Sequence, residues 1–350
     1  MTDTAATPKL LSPAELQPAV DLSQKILRDL DAVLLGQAQL HRLVLAGVLA
    51  RGHILLEGMP GVGKTVLIKT LGQLLSLRFS RVQFTPDLMP SDILGTTILQ
   101  QSADGSRRME FQPGPVFTNI LLADEINRAS PKTQAALLEA MQERRVTIGG
   151  ESRALAEPFF VLASQNPIDL EGTYPLPEAQ IDRFLFKLHV AQPKVDVLES
   201  ILSGRRRGEA PMPSAFVSET QLRQLFSVMD RVVLPGPVGR YIARLVAASH
   251  PGGAESPDVI AQYVTHGASP RAAIGIAESA RAMALLAGRP TVGFEDVNAV
   301  APHVLNHRLI LGYQARFDKV TGHDVVAGLI DAIDEAAVDL PKGITMEAGV

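Results

Sequence analysis

The stretch GMPGVGKT at residues 58–65 constrains the fold of this chain more than any other part of the sequence. It satisfies the pattern G-x-x-x-x-G-K-[ST] and directly follows HILLE at 53–57, an apolar run that predicts a buried strand. The glycines allow the backbone to curl so that successive N–H groups point at phosphate oxygens, and the helix expected at about 64–75 adds its positive N-terminal dipole. The sequence therefore predicts a phosphate-binding loop between a strand and a helix.

The residues of this loop have separate expected roles. Lys64 is expected to neutralise the β and γ phosphates of a nucleotide, and Thr65 to ligate Mg²⁺. The full set expected to contact the nucleotide is Gly58, Met59, Pro60, Gly61, Val62, Gly63, Lys64, Thr65 and Val66. The sequence has no N-K-x-D stretch, which would favour guanine, so we expect the nucleotide to be ATP.

Two adjacent carboxylates, Asp124 and Glu125, end an apolar run at 120–123. A buried strand ordinarily avoids charges because their desolvation is costly. A P-loop nucleotidase, however, needs an acidic residue at the tip of a neighbouring strand to hold the magnesium shell, and Asp124 suits that role. A second carboxylate can orient and deprotonate the attacking water. Glu125 is therefore the predicted general base.

A third apolar run, in FFVLASQNP, ends at Gln165 and Asn166. An Asn before a Pro is often only a turn residue. At the tip of a third strand, however, a neutral amide could hold the attacking water or the γ-phosphate without competing for the metal. We therefore expect Asn166 to have a catalytic role.

Strand and helix patterns alternate between residues 53 and 190, which predicts a parallel sheet with helices on both faces. Beyond HILLE, strands are expected at about 79–84, 120–123, 159–163 and 184–190, and helices near 64–75 and 131–143. Two pairs of strand-like runs are separated by Asp104-Gly105 and by Gly149-Gly150, which are typical of hairpin turns. Neither hairpin is apolar enough for a core, so both are predicted to project from the sheet.

The pattern changes after about Pro193 and predicts a second, helical domain without strands. Its helices are expected at about 218–230, 236–249, 269–287 and 294–306. The predicted domain division is a nucleotide-binding core at 1–200 with residues 1–11 disordered, a linker at 201–215, a helical domain at 216–325 and a tail at 326–350.

Composition limits the expected partners and location. The 33 basic and 37 acidic residues leave a net charge of −4, so nucleic acid is not the default partner. The absence of cysteine fits a reducing compartment. The sequence contains no run of 18 apolar residues that would predict a membrane span, so we expect a cytoplasmic protein. His303 and His307 have helical i, i+4 spacing but no acidic partner, so we expect no metal site there.

These motifs together resemble those of the AAA+ ATPases. The stretches GMPGVGKT, FQPGPVFTNILLADEINRASPKTQAALLEAMQERRVTIGG and LASQNPIDLEGTYPLPEAQIDRF are similar to the MoxR family nearly residue by residue, and the resemblance extends over about 30–320. It implies an α/β AAA+ P-loop NTPase with a parallel-sheet core, followed by an all-α lid domain. By resemblance, the hairpin at 96–111 is the helix-2 insert and that at 145–157 the pre-sensor hairpin.

The resemblance also implies roles for three polar residues. Asn166 corresponds to sensor 1, Arg183 in DRF to the arginine finger, and Arg271 in GASPRA to the sensor 2 arginine of the lid. Arg183 and Arg271 each have a simpler interpretation than these catalytic roles, since Arg183 could pair with a nearby acidic residue and Arg271 could face solvent. Arg128 and Arg144 remain alternatives for the inter-subunit role. Ser164 departs from many members, which have Thr, and we expect this difference to be harmless.

By resemblance, the chain is expected to form a ring, typically a hexamer, that couples Mg²⁺-dependent ATP hydrolysis to remodelling or maturation of a client protein complex. The implied partner is a protein with a von Willebrand factor A domain. Two alternatives remain open, a nucleic-acid motor and a slow nucleotide-controlled scaffold. The hairpin stretch VTIGGESRALAE contains one arginine and two glutamates, which disfavours binding to a phosphate backbone and therefore the motor. The other hairpin contains Arg107 and Arg108 and is more compatible with nucleic-acid binding. The intact Glu125 disfavours the scaffold.

Overall fold

The computed structural model describes residues 10–101, 107–166, 172–204 and 216–335. The Asp104-Gly105 turn, residues 1–9, most of the predicted linker and the end of the predicted tail therefore lie outside the described residues. Leu11, which was expected to be disordered, is instead buried in the core beneath the first helix.

Eleven strands and fourteen α-helices are present in the described residues. The strands are β1 (Ile54–Glu57), β2 (Phe79–Gln83), β3 (Gly95–Gln101), β4 (Arg107–Pro113), β5 (Ile120–Asp124), β6 (Arg145–Ile148), β7 (Glu151–Ala154), β8 (Phe160–Gln165), β9 (Phe186–His189), β10 (Val264–His266) and β11 (Ile310–Leu311). The helices are α1 (Pro13–Val33), α2 (Ala38–Leu49), α3 (Lys64–Leu74), α4 (Pro90–Leu94), α5 (Pro131–Glu143), α6 (Glu178–Ile181), α7 (Val195–Gly204), α8 (Glu219–Asp230), α9 (Gly236–Ala248), α10 (Asp258–Tyr263), α11 (Pro270–Leu286), α12 (Phe294–Leu305), α13 (Tyr313–Phe317) and α14 (Gly322–Ala332).

The central sheet confirms the predicted parallel architecture. Its five strands are all parallel and lie in the order β2-β5-β8-β1-β9. The middle strands β1, β5 and β8 are buried almost along their whole length, which explains their near-continuous apolar sequences. Because all strands run the same way, their carboxyl ends meet at one edge, and the loops that follow β1, β5 and β8 are brought together there.

Both predicted hairpins are confirmed as separate two-stranded ladders, β3-β4 and β6-β7. Leu99 and Met109 face each other across the first ladder and are 60% and 68% exposed, so this hairpin projects from the core. The Arg153 guanidinium carbon of the second hairpin lies 4.2 Å from the ring centroid of Phe111 in the first.

The carboxyl-terminal region is a helical lid, as predicted, with one correction. A short antiparallel ladder joins β10 to β11, where the sequence analysis expected no strand. Strands of three and two residues are too short to show the alternating pattern that reveals a strand in sequence. The domain division stays a prediction. Helix α7 extends across the proposed boundary at 200/201, and α14 extends across the one at 325/326. Three residues of α14, Val325, Val326 and Leu329, are buried in the core.

A continuous hydrophobic core connects the sheet to the lid. Helices α1 and α2 pack against each other and against α11 of the lid, while Phe160 of β8 stacks on Phe226 of α8. Each helix in the described ranges is too short or too polar to cross a bilayer.

Candidate nucleotide site

A cavity of about 300 Å³ lies at the carboxyl edge of the sheet, and we call it the P-loop cavity. Its lining residues are Pro60, Gly61, Gly63, Lys64, Thr65, Val66, Arg81, Gln83, Asp124, Glu125 and Asn166. Six of the nine predicted loop residues are among them; Gly58, Met59 and Val62 are not. The structure thus brings together the loop, the two carboxylates and the Asn that the sequence analysis had linked.

Glycine is required in the loop at positions where a side chain would be strained or would clash. Gly61 and Gly63 have φ of +82° and +95°, a region that L-residues rarely adopt. A Cβ at Gly58 would lie 2.7 Å from the carbonyl oxygen of Val190. Gly63 precedes the first residue of α3, so the turn aims the amino terminus of that helix at the cavity.

Lys64 closes the loop on itself. Its Nζ donates a hydrogen bond to the carbonyl oxygen of Gly58 at 2.5 Å. Burial lowers the pKa of Lys64, although attraction to Asp124 and Glu125 opposes that shift. The ammonium group therefore lies beside the Gly58 carbonyl in the same cavity as the two carboxylates, where phosphate oxygens would be attracted to it.

The Asp124 carboxylate is nearly buried, with 8% of the residue exposed, and hydrogen bonds hold both of its oxygens. Oδ2 accepts from Arg81 Nη2 at 2.7 Å and from Arg81 Nε at 3.2 Å. Oδ1 accepts from Ser164 Oγ at 2.5 Å, and the same Oγ accepts from the backbone N–H of Glu125 at 2.9 Å. Ser164 therefore ties the two acidic residues to the neighbouring strand β8.

Glu125 has a left-handed backbone, with φ of +55°, which is uncommon for a residue other than glycine. This conformation ends β5 and directs the side chain to the cavity. Its Oε2 accepts hydrogen bonds from Gln83 Nε2 at 2.8 Å and from Arg128 Nη1 at 2.9 Å. Arg128, one alternative for the inter-subunit role, thus contacts the acidic residue of its own chain.

Asn166 follows β8 and is 7% exposed at the wall of the P-loop cavity. Its backbone carbonyl lies 3.5 Å from Asn127 Nδ2, which anchors the end of this strand to the turn after β5. The amide thus lies at the same edge as both carboxylates, as its position in the sequence predicted.

The two predicted arginines lie at the opposite edge of the sheet. The Leu185 N–H donates a hydrogen bond to the His53 carbonyl at 2.8 Å, so Arg183 lies just before the amino ends of β1 and β9. The P-loop, in contrast, follows the carboxyl end of β1. Arg183 Nη1 donates to the Leu138 carbonyl at 2.7 Å. Arg271 Nη1 lies 3.3 Å from Asp182 Oδ2. The structure therefore does not bring Arg271 to the P-loop of its own chain, because α11 begins beside Asp182.

Both arginines line a second cavity of about 290 Å³, which we call the arginine cavity. Its other charged lining residues are Arg51, Arg144, Asp182, Glu278 and Arg308. Five arginines are thus gathered at one end of the sheet, whereas the phosphate-binding loop and the Asp124–Glu125 pair lie at the other.

Comparisons with known proteins agree with this arrangement. The model of the ATPase family associated with various cellular activities (AAA) matches residues 53–186, and an AAA lid domain model matches residues 258–329. The chaperone MoxR1 of Mycobacterium tuberculosis is 41% identical over 318 residues, which is 91% of this chain and 83% of the relative. The chain belongs to the MoxR family of AAA ATPases.

Two further comparisons extend over most of the chain. Protein MoxR of Paracoccus denitrificans is 33% identical over 323 residues, or 87% of this chain and 92% of that protein. The crystal structure of a candidate ATPase from Cytophaga hutchinsonii has a TM-score of 0.81 and 38% identity, and covers 91% of this chain and 97% of that chain. The predicted α/β core followed by a helical lid is confirmed.

Sequence reasoning missed three side chains at the MoxR-family site. Arg81 and Gln83 lie on β2, a short and mostly polar strand. Nothing in its sequence marked these side chains as part of the site, and only the pairing of β2 with β5 brings them there. Ser164 was noted only as a departure from Thr, although its hydroxyl bridges the two acidic residues. A Thr carries the same hydroxyl, so the geometry is compatible with the expected harmless difference.

Proposed function

We propose that this MoxR-family protein hydrolyses ATP in the presence of Mg²⁺, as a homo-oligomeric ring that remodels or matures protein complexes. The observation that carries the proposal is the division of charged groups between the two ends of the sheet. The P-loop cavity holds Lys64, Asp124, Glu125 and Asn166, whereas Arg183 lies at the opposite edge. A complete hydrolytic site would then form where the two ends of neighbouring subunits meet.

The donor set of the P-loop cavity suits Mg²⁺. Thr65 and Asp124 both line it, and hydroxyl and carboxylate oxygens are the ligands that this ion prefers. Bound magnesium would neutralise charge on the β and γ phosphates. In the proposal, Thr65 and Asp124 hold the metal, and Lys64 and the loop N–H groups bind the phosphates.

Glu125 is the proposed general base, which would take a proton from the attacking water at its carboxylate. Its Oε2 is engaged by Gln83 and Arg128. The proton would therefore go to Oε1, or to Oε2 once one of these bonds has opened. Asn166, on the neighbouring strand tip, is proposed to hold the same water or the γ-phosphate.

The arginine finger is proposed to act on a neighbouring subunit. Arg183 lines the arginine cavity, and its Nε has no hydrogen-bond partner among the described residues, so the guanidinium keeps donor capacity for a phosphate. Arg271 lies beside it in the arginine cavity, so we propose that Arg271 contributes to the same neighbouring site rather than to its own. The hexameric state is inferred from the family resemblance.

A subunit-mixing experiment tests the proposal. Lys64→Ala removes the phosphate-binding cation, and Arg183→Ala removes the finger, so each variant alone should be nearly inactive. Mixed rings contain interfaces at which an intact P-loop meets an intact finger, so the mixture should recover part of the ATPase activity. If the variants co-assemble and their mixture stays inactive, Arg183 does not act in trans.

The client is proposed to be protein. The M. tuberculosis relative is named a chaperone, and the family resemblance adds a partner with a von Willebrand factor A domain. In the β6-β7 hairpin, Arg153 pairs with Glu151 and lies over Phe111, so this arginine is already engaged rather than free for a phosphate backbone. A pull-down with ATP-trapped protein would identify the client, and a salt-dependent titration with single- and double-stranded DNA would test the nucleic-acid alternative.

A further inference from the structure

A buried arginine of the lid makes most of the hydrogen bonds that hold residues 182–185, the short segment that carries Arg183. Arg308 lies just after α12, and 3% of its side chain is exposed. Its Nε donates to Asp182 Oδ1 at 2.8 Å, and its Nη2 donates to the Asp182 and Phe184 carbonyls at 3.0 and 2.7 Å. Its Nη1 donates to the carbonyls of Leu185 and Val304 at 3.1 and 2.5 Å. Four of these five hydrogen bonds end on the segment.

Other lid residues contact the same segment. Ser269 Oγ lies 3.2 Å from each carboxylate oxygen of Asp182, and Arg271 Nη1 lies 3.3 Å from one of them. His307 Nε2 lies 3.1 Å from the Phe184 carbonyl oxygen. The backbone on both sides of Arg183 is therefore fixed by the beginning of α11 and the end of α12.

The chemistry of Arg308 explains why it dominates this contact. A guanidinium group presents five N–H donors in a rigid plane, so it can satisfy several carbonyls and a carboxylate at once. A lysine would retain the charge but could not reach this set of acceptors. Without Arg308, four main-chain carbonyls, three of them on the segment, and the Asp182 carboxylate would each lose a buried donor.

We propose that Arg308 is a positioning residue for Arg183, through which the lid of one subunit sets the arginine that this subunit presents to its neighbour's ATP. The inference rests on the proposed trans role of Arg183. Hydrolysis at a P-loop would then depend on the lid of the subunit that supplies the finger, and a lid movement in one subunit would change turnover in the next.

The test uses Arg308→Lys in the full-length chain. Nucleotide affinity, measured with a fluorescent ATP analogue, should stay within about twofold of wild type because the P-loop is at the other edge, while turnover should fall about 10²-fold, as expected for a catalytic group displaced by about 1 Å. Arg289→Lys is the matched control. Arg289 pairs with Glu295 and Asp296 inside the lid at 2.7 and 2.6 Å, away from residues 182–185, so its variant should keep wild-type turnover.

Directional mixing separates positioning from a general structural role. Arg308→Lys has an intact P-loop and Lys64→Ala has an intact finger and an intact Arg308, so mixing the two should restore part of the activity. Mixing Arg308→Lys with Arg183→Ala should restore none, because every finger is then defective.

Three results would overturn the inference. These are wild-type turnover in Arg308→Lys, loss of its nucleotide affinity, and failure of Arg308→Lys to complement Lys64→Ala while Arg183→Ala does complement it. If Arg183→Ala also fails to complement Lys64→Ala, the trans role itself is refuted, so the two failures are distinguishable.

Discussion

The two ends of the central sheet each contain a carboxylate paired with an arginine, yet the two arginines differ in exposure. At the P-loop end, the Asp124 side chain is 11% exposed and that of its partner Arg81 is 49% exposed. At the other end, the Asp182 side chain is 19% exposed and that of its partner Arg308 is 3% exposed. Removing one partner of a fully buried pair costs roughly 3–5 kcal/mol, and the cost falls when solvent can reach the pair. Arg81 reaches Asp124 from solvent, whereas Arg308 is enclosed by the acceptors that it satisfies, so the loss of Arg308 should be the more costly.

The largest expected effect comes from removing Arg183, the proposed arginine finger. Arg183→Ala should slow steady-state ATP hydrolysis by about 10³-fold or more, the range for arginine fingers, without changing nucleotide affinity. Arg144→Ala provides the control because Arg144 lines the same arginine cavity. An equal loss in Arg144→Ala, with little loss in Arg183→Ala, would assign the finger to Arg144 instead.

The unequal exposure of the two pairs predicts unequal stabilities. In urea unfolding, Arg308→Gln should lower the free energy of unfolding by about 3–5 kcal/mol because it leaves buried acceptors without a donor. Arg81→Gln should lower it by less, roughly 1–2 kcal/mol, because Arg81 is half-exposed and Ser164 still donates to Asp124. Similar losses in the two variants would mean that the ends of the sheet do not differ in the way that their exposure implies.

At the P-loop end, Glu125→Gln should bind ATP normally but hydrolyse it hundreds-fold more slowly, within the roughly 10²–10⁴ range of general-base catalysis. Lys64→Ala should instead lose nucleotide affinity. Equilibrium binding and single-turnover hydrolysis would separate the two effects. Normal turnover in Glu125→Gln would remove this residue from the mechanism.

The smallest effect on turnover is expected at Ser164. Ser164→Ala removes the hydroxyl that bridges Asp124 and the Glu125 N–H, and should reduce stability by about 1–3 kcal/mol and turnover several-fold. Ser164→Thr keeps the hydroxyl and should match wild type in both measurements. If the Thr variant is as impaired as the Ala variant, the bridge is not what matters at this position.

The amino-acid sequence by itself predicted the P-loop, Asp124, Glu125 and Asn166, and it predicted that they meet. Each follows an apolar run in the sequence, and strands that are parallel must bring their carboxyl ends to one edge. The two hairpins and the long lid helices were predictable for a similar reason, since turn dipeptides and helical periodicity are local signals.

Only the tertiary structure decided which partners hold these residues. Arg81 reaches Asp124 across neighbouring strands, and Arg308 reaches Asp182 from the lid, 126 positions away in the chain. The same packing places Arg271 beside Asp182 rather than at the P-loop. Such contacts depend on how the lid helices pack against the sheet, and that packing arises from apolar surfaces distant in sequence. No local sequence pattern reveals this packing, because the sequence around an arginine does not show whether its side chain will be buried or exposed.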